Sequence, residues 1–185
     1  MARPICVTCG TQFGDSDRPP DACPICTDPR QYVGLDGQQW TTLEGLAASH
    51  ENAIRAQGDL TGIGTEPRFA IGQRALLVPY GDSNLLWDCL TLLDEATAAE
   101  VERRGGLAAI AISHPHCYSA MVEWARRFDC PIHLHAADAE WIMRSDRAIK
   151  HWHGETRHLG HGLTLIRGGG HFRGGTILHL SLIHI

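Results

Sequence analysis

Two groups of residues in this chain have the types and spacing that metal chemistry needs. The first is Cys6-Val7-Thr8-Cys9, followed after a polar stretch by Cys23-Pro24-Ile25-Cys26. Two C-x2-C pairs offer four thiolates, the donor set of a closed tetrahedral zinc site, and each pair turns tightly enough for both sulfurs to face one ion. Gly10 follows directly, where the chain must turn away and a positive φ is needed. The segment from Thr11 to Ala22 contains Pro19-Pro20 and too few apolar residues to fold without a metal. A redox dithiol would need only one pair and a βαβ context, which is absent. A closed site has no open coordination position, so the expected role of Cys6, Cys9, Cys23 and Cys26 is structural.

The second group is a set of histidines. Of 12 His, 11 lie between positions 114 and 184. His114 and His116 follow the apolar run Leu107–Ile112, and in extended chain residues i and i+2 point to the same side. His171 sits in Gly168-Gly169-Gly170-His171-Phe172-Arg173-Gly174-Gly175, where glycines let the backbone approach closely and place one side chain. Three neutral imidazoles with an open fourth position make a catalytic-type zinc site, in which the ion acidifies water and supplies a hydroxide nucleophile.

Elements must bring these residues together. Thr41 and Glu44 match a capping box, predicting a helix over 42–57 stopped by Gly58. Residues 60–71 read as loop and short strand. A hairpin is expected from strands over 74–79 and 84–89 around Gly81-Asp82-Ser83, then a helix over 95–104. The run 107–112 is apolar on both faces and predicts a strand covered on both sides. A helix to about Phe128, a strand over 131–135, a helix over 138–144 with Asp138 as its cap, and strands over 163–167 and 176–180 complete the pattern. His151, His153, His158 and His161 read as solvated loop residues, and His133 and His135 as strand residues, the latter ending near the histidine site. The pattern predicts an α/β (α+β) chain, a mixed sheet covered by helices. Residues 1–40 form the ribbon and linker, and 41–185 the larger domain.

From about Gly62 to His179 the chain resembles the metallo-β-lactamase fold family, in an uncharacterised branch carrying an N-terminal zinc ribbon. The resemblance rests on the hairpin ending Leu85-Leu86-Trp87-Asp88, on His-x-His after a buried strand, and on Gly-Gly-His-Phe-x-Gly-Gly. It implies the N-terminal half of an αββα sandwich with metal at one sheet edge. It also implies that His114, His116 and His171 are the first three ligands of the active-site metal. The family's first motif reads His-x-His-x-Asp-His, and here Tyr118 and Ser119 replace its last two residues, which normally serve a second metal. The departures point to one zinc at this site beside one in the ribbon. They leave Tyr118 to orient the nucleophile or bind substrate, although an ordinary phenol pKa of about 10 makes it a poor base. The family continues past the His171 turn, whereas the tail Ser181–Ile185 does not match. The chain is therefore expected to be truncated at its C-terminus and to leave a sheet face uncovered.

Lys+Arg 16 against Asp+Glu 21 gives a net charge of -5, which disfavours nucleic acid and anionic membranes as partners. No apolar run approaches a membrane span and no signal peptide opens the chain, so the expected location is cytoplasmic, where clustered cysteines bind metal rather than pair. These readings converge on a zinc-dependent hydrolase. Metal-bound hydroxide would attack an ester, thioester, amide or phosphoester of a small-molecule substrate. The alternative is a non-catalytic module with a decayed site, in which the ribbon docks a protein partner. A third reading, nucleic-acid processing, has the charge against it.

Overall fold

The structure is a computed structural model, and it describes residues 2–27 and 33–181. Asp28, Arg30 and Tyr32 of the ribbon and linker, and the tail residues 182–185, lie outside the described residues.

Twelve strands and three α-helices follow one another along the described chain. At the N-terminus β1 (Ile5–Cys6) pairs antiparallel with β2 (Trp40–Thr41). Helix α1 (Leu43–Ala47) leads into a seven-stranded sheet in simple sequential order. Its strands are β3 (Glu51–Gln57), β4 (Leu60–Glu66), β5 (Arg74–Tyr80), β6 (Ser83–Trp87), β7 (Leu107–Ala111), β8 (Ile132–His135) and β9 (Ile149–Trp152). Neighbours are antiparallel from β3 to β6 and parallel from β6 to β9. The switch follows from the connections. A two-residue turn joins β3 to β4, whereas α2 (Glu95–Arg103) and α3 (Met121–Phe128) are the crossovers that let β6, β7 and β8 run in one direction. A second, antiparallel sheet contains β10 (Thr156–Gly160), β11 (Leu163–Arg167) and β12 (Thr176–Leu180).

Alternation along the central strands sorts the side chains into two cores. Leu77, Leu86, Ile110, Ile132 and Leu134 face the helices and pack on Val101, Val122 and Trp124. Val78, Leu85, Ala109 and Ala111 face the opposite way and pack on Leu163 and Leu165 of the second sheet. The strand 107–111 is thus covered on both sides, as its unbroken apolar run predicts. The layers are helix, sheet, sheet, with both faces of the central strands covered. On the outside of the second sheet Ile166 pairs with Ile177, which is 57% exposed.

Several local expectations are corrected. The helix over 42–57 is only α1, capped by Thr42 rather than Thr41, its hydroxyl accepting from the Gly45 amide at 3.1 Å. Residues 51–57 instead pair over their full length with β4, the strand expected within the stretch read as loop and short strand. They form an edge strand with little burial, so no strong alternation marks them, and tertiary pairing decides. Gly58, with φ of 59°, makes the hairpin turn and ends no helix. The helix over 138–144 is a 3-10 segment over Ala136–Trp141, kinked at Asp138. The histidines at 151 and 158 lie on β9 and β10, although both remain exposed.

The N-terminal segment is tied to the larger body by charge as well as packing. Glu123 on α3 accepts from Arg3 at 3.1 Å and from Arg144 at 2.5 Å. Burial pushes the Glu123 carboxyl up, but the hydrogen bond and charge of Arg144 and the charge of Arg3 outweigh it and hold it below the usual range. A carboxyl lowered on folding stabilises fully above its unfolded pKa of about 4.3, and that stability is lost as pH falls through the folded value. Glu123→Gln is therefore expected to lower the melting temperature near neutrality. The gap between variant and wild type should close below about pH 4, as melting curves across that range would record.

Candidate metal centres

The carboxyl ends of β6, β7 and β8 lie side by side because these strands are parallel. That edge is where loops of such sheets gather side chains for binding. The chain leaving β7 carries His114 in extended conformation (φ -167°, ψ 169°), then one 3-10 turn over Pro115–Cys117 with Pro115 at its first position. The two histidines are thus not consecutive outward residues of an extended strand, as the spacing suggests. The turn sets their rings 5.5 Å apart and nearly perpendicular. Asp88, just past β6, adopts a left-handed φ of 62° and accepts from the Ser113 amide at 2.8 Å. It thereby pins the start of the histidine turn.

His171 comes from the loop between β11 and β12. Gly168 and Gly169 both donate to the Gly175 carbonyl, at 2.7 and 2.9 Å, and Gly169 and Gly170 take positive φ values that suit glycine. Asp138 is 2% exposed and accepts from the Gly174 amide at 2.6 Å. It clamps the His171 loop instead of capping a helix, the role its position suggests. Thr176 at the head of β12 donates to the Ser113 carbonyl at 2.7 Å, which locks the two histidine segments together.

The ligand atoms of His114, His116 and His171 all lie within 4.8 Å of one another. His171 Nε2 is 3.3 Å from His116 Nδ1. Ser113 Oγ contacts His114 Nδ1 at 2.8 Å, the kind of outer contact that fixes a tautomer and leaves the other nitrogen for a metal. Burial, then the neighbouring His116 and His171, push His114 down to about 4, so it is a neutral donor at physiological pH. His116 is buried, His114 half-buried and His171 exposed, which leaves one side open to solvent. Three converging neutral imidazoles fit one divalent ion with an accessible position, and among the described residues no carboxylate joins the cluster.

Beside the histidine turn lies a groove of about 750 Å³ whose walls include Glu66, Arg68, Arg74, Trp87, Asp88 and Cys117. Cys117 is itself buried, and that burial pushes its thiol up, so it is inert as a nucleophile. Tyr118 is 3% exposed, and burial raises its phenol well above the usual range. It stays protonated at neutral pH and has no capacity there as a base. Ser119 is buried, and its carbonyl accepts from the amide of Gln12, a residue of the cysteine segment. His135 ends β8, but its ring contacts Gly154 O and the Ala137 amide at 3.1 Å each, outside the histidine cluster. His133 lies on β8, and burial, then the charge of Arg157, lower it to about 4. Cys89 and Cys130 belong to the helix-side core.

The four cysteines also converge. All are buried free thiols with mutual sulfur distances within 4.8 Å. Cys6 and Cys26 sulfurs are 3.6 Å apart, and Cys9 and Cys23 sulfurs 3.7 Å. Gly10 takes the expected positive φ of 76°. Gln38, which the sequence does not single out, donates to the Cys6 sulfur at 3.2 Å and accepts from the Cys23 amide at 3.2 Å. An amide proton on a thiolate sulfur is the outer-shell support such sites use. The sequence also misses Phe172, whose ring lies 4.5 Å from that of His171 and 5.1 Å from that of His116. An aromatic residue inside a glycine run was the available signal that this loop packs inward.

A methyl group shows how closely the His171 loop is drawn. A Cβ at Gly175 would lie 2.1 Å from the Gly169 carbonyl oxygen, a backbone atom held by its own loop. Gly175→Ala should therefore open the loop and weaken metal at the histidine site by about tenfold or more, with the cysteine-site metal retained. Site-resolved metal titration checks this.

No family model matches this chain. Over 180 residues it is 48% identical to the uncharacterized protein YmaE of Bacillus subtilis (strain 168), spanning 96% of this chain and 66% of that relative's length. Among solved structures it is similar to the DIM-1 metallo-β-lactamase, with TM-score 0.56 and 14% identity over 70% of this chain and 65% of that one. It is similar also to the FIM-1 metallo-β-lactamase from Pseudomonas aeruginosa in its mono-zinc form (TM-score 0.52, 15% identity, 70% and 64% covered). A third is the di-iron-bound form of TTHA1623 (TM-score 0.50, 21% identity, 59% and 62% covered). These likenesses, with the helix–sheet–sheet layering, show the metallo-β-lactamase fold.

Proposed function

We propose that this protein is a metal-dependent hydrolase acting at the histidine centre, with zinc at both centres. The observation that carries this reading is the convergence of His114, His116 and His171 within 4.8 Å at the open edge of the parallel strands. When bound, the metal supplies Lewis acidity toward a substrate oxygen and acidifies water. Neutral imidazoles leave the ion's full charge available for that work. The chain's own residues set the frame. Asp88 and Asp138 hold the two histidine segments, Ser113 orients His114, and the groove beside Cys117 receives a small-molecule ester, thioester, amide or phosphoester. Tyr118 serves at most as a hydrogen-bond donor. One metal at the histidine centre suits a cluster that has no carboxylate among the described residues. The seven free cysteines suit a reducing compartment, which supports a cytoplasmic location. Among the described residues no helix is long and apolar enough to cross a membrane.

The second reading, a non-catalytic module that meets a protein partner through its cysteine segment, has a specific support. Gln12 bonds to Ser119 where the resemblance places second-metal residues. Metal analysis with a panel of esters, thioesters and phosphoesters separates the two. Two metals per chain with turnover that chelator abolishes is the expected result. Two metals without turnover on any class moves the binding reading ahead. One metal per chain rejects the histidine centre.

A further inference from the structure

The four-cysteine and three-histidine centres meet through one side chain. Gln73 lies at the end of the loop between β4 and β5. Its amide nitrogen donates to the Cys9 carbonyl at 2.6 Å and to the His116 carbonyl at 2.9 Å. A primary amide has two protons, and here both are spent on joining the two centres. The contact is not isolated. Thr91 donates to the Gly10 carbonyl at 2.8 Å, and a Cβ on Gly10 would lie 2.4 Å from the Thr91 hydroxyl, so the Cys9-Gly10 turn is seated closely. On the other side Phe172, next to His171, belongs to the apolar cluster of Cys6, Cys9, Cys23, Cys26, Phe13 and Ile25. The same ring lies against all three histidines, at 4.5, 5.1 and 6.0 Å.

From this we propose that Gln73 is a positioning residue that couples the two centres, so that filling the cysteine site tightens metal binding at the histidine site. The proposal rests on both centres holding metal and does not depend on which reaction follows. The physical route is short. A metal draws the four sulfurs together and sets the shape of the Cys6–Cys9 turn. The Cys9 carbonyl then fixes the Gln73 amide, and the amide fixes the His116 backbone. Without the metal the thiols relax, the turn loosens, and the His116 carbonyl loses an oriented donor. Coupling of this kind is reciprocal: whatever factor the cysteine metal adds at the histidines, the histidine metal returns.

The test uses the whole chain, titrated with Co2+ with and without one prior equivalent of Cd2+, which the soft thiolates take first. The sulfur-to-cobalt charge-transfer band reports the cysteine site alone, so the two centres are read separately. In wild type, Cd2+ loading is expected to tighten Co2+ at the histidines. In Gln73→Leu that response should vanish and the histidine-site affinity should fall about tenfold, with full cysteine-site stoichiometry. Gln73→Glu keeps the shape but supplies no proton to either carbonyl, and should behave likewise if the leucine variant does not fold. A residue that merely stabilised the fold would lower the melting temperature and leave the Cd2+ response intact, and that outcome overturns the proposal. Equal affinities in wild type and variant also overturn it. A wild-type chain that takes metal only at cysteine overturns both this proposal and the functional reading beneath it.

Discussion

Replacing His171 with alanine is expected to remove one metal per chain and leave the other in place. His171 is the cleanest of the three ligands to change. It is exposed, so the substitution opens no cavity in either core, whereas His116 is 5% exposed and packs edge-on against Phe172. Its ring nitrogen lies 3.3 Å from His116 Nδ1, so its loss leaves two imidazoles where three converged. Two neutral ligands hold a divalent ion far more weakly than three, and the affinity loss should exceed the roughly tenfold to hundredfold typical of outer-shell changes. Elemental analysis of purified protein should fall from two metals to one, with the cysteine site still filled at full stoichiometry. Any hydrolytic turnover should fall to the background of the chelated protein. Equal metal content in variant and wild type would falsify the ligand assignment.

The second large effect is on stability. Cys23→Ser is expected to release the cysteine-site metal and to lower the melting temperature sharply, and exhaustive chelation of wild type should do the same. The segment has little else to hold it. Beyond the cysteines its core is Ile5, Phe13, Ile25 and the borrowed Phe172. In small structural zinc sites the binding free energy, about 10–16 kcal/mol in isolated peptides, is in effect the folding free energy. The segment also shares Trp141, Met143 and the Arg3–Glu123–Arg144 contacts with the larger body, so the loss should spread beyond residues 2–27. Hydrogen exchange would locate it. Protection lost around Trp40, Ser119 and the His171 loop is the expected pattern, and a change confined to the cysteine segment would contradict it.

Much of the candidate chemistry was legible because it is carried by residue type and spacing. Cys-x2-Cys twice and His-x-His with a glycine-embedded histidine name their donor sets without any knowledge of the fold, and all seven residues do converge. The strand over 107–111 was readable because burial on both faces demands an unbroken apolar run. The edge strand 51–57 was not readable. It is paired on one side and mostly exposed, so its residues carry no alternation strong enough to outweigh their helix propensity. The strands at 149–152 and 156–160 were hidden for the same reason, since their solvated histidines look like loop residues.

By itself, then, the sequence determined the two donor sets and a mixed sheet with helices. These are local properties of composition and period. Only the tertiary structure decided how the donor sets are held. Asp138 was free in sequence terms to cap a helix, and becomes the clamp on the His171 loop because the end of β8 and the start of β12 meet there. Gln73 and Phe172 have no chemical signature, and acquire their positions between the two centres because distant loops meet there. Hydrogen bonds between segments so far apart in the chain depend on packing of the whole sheet, which no local pattern encodes.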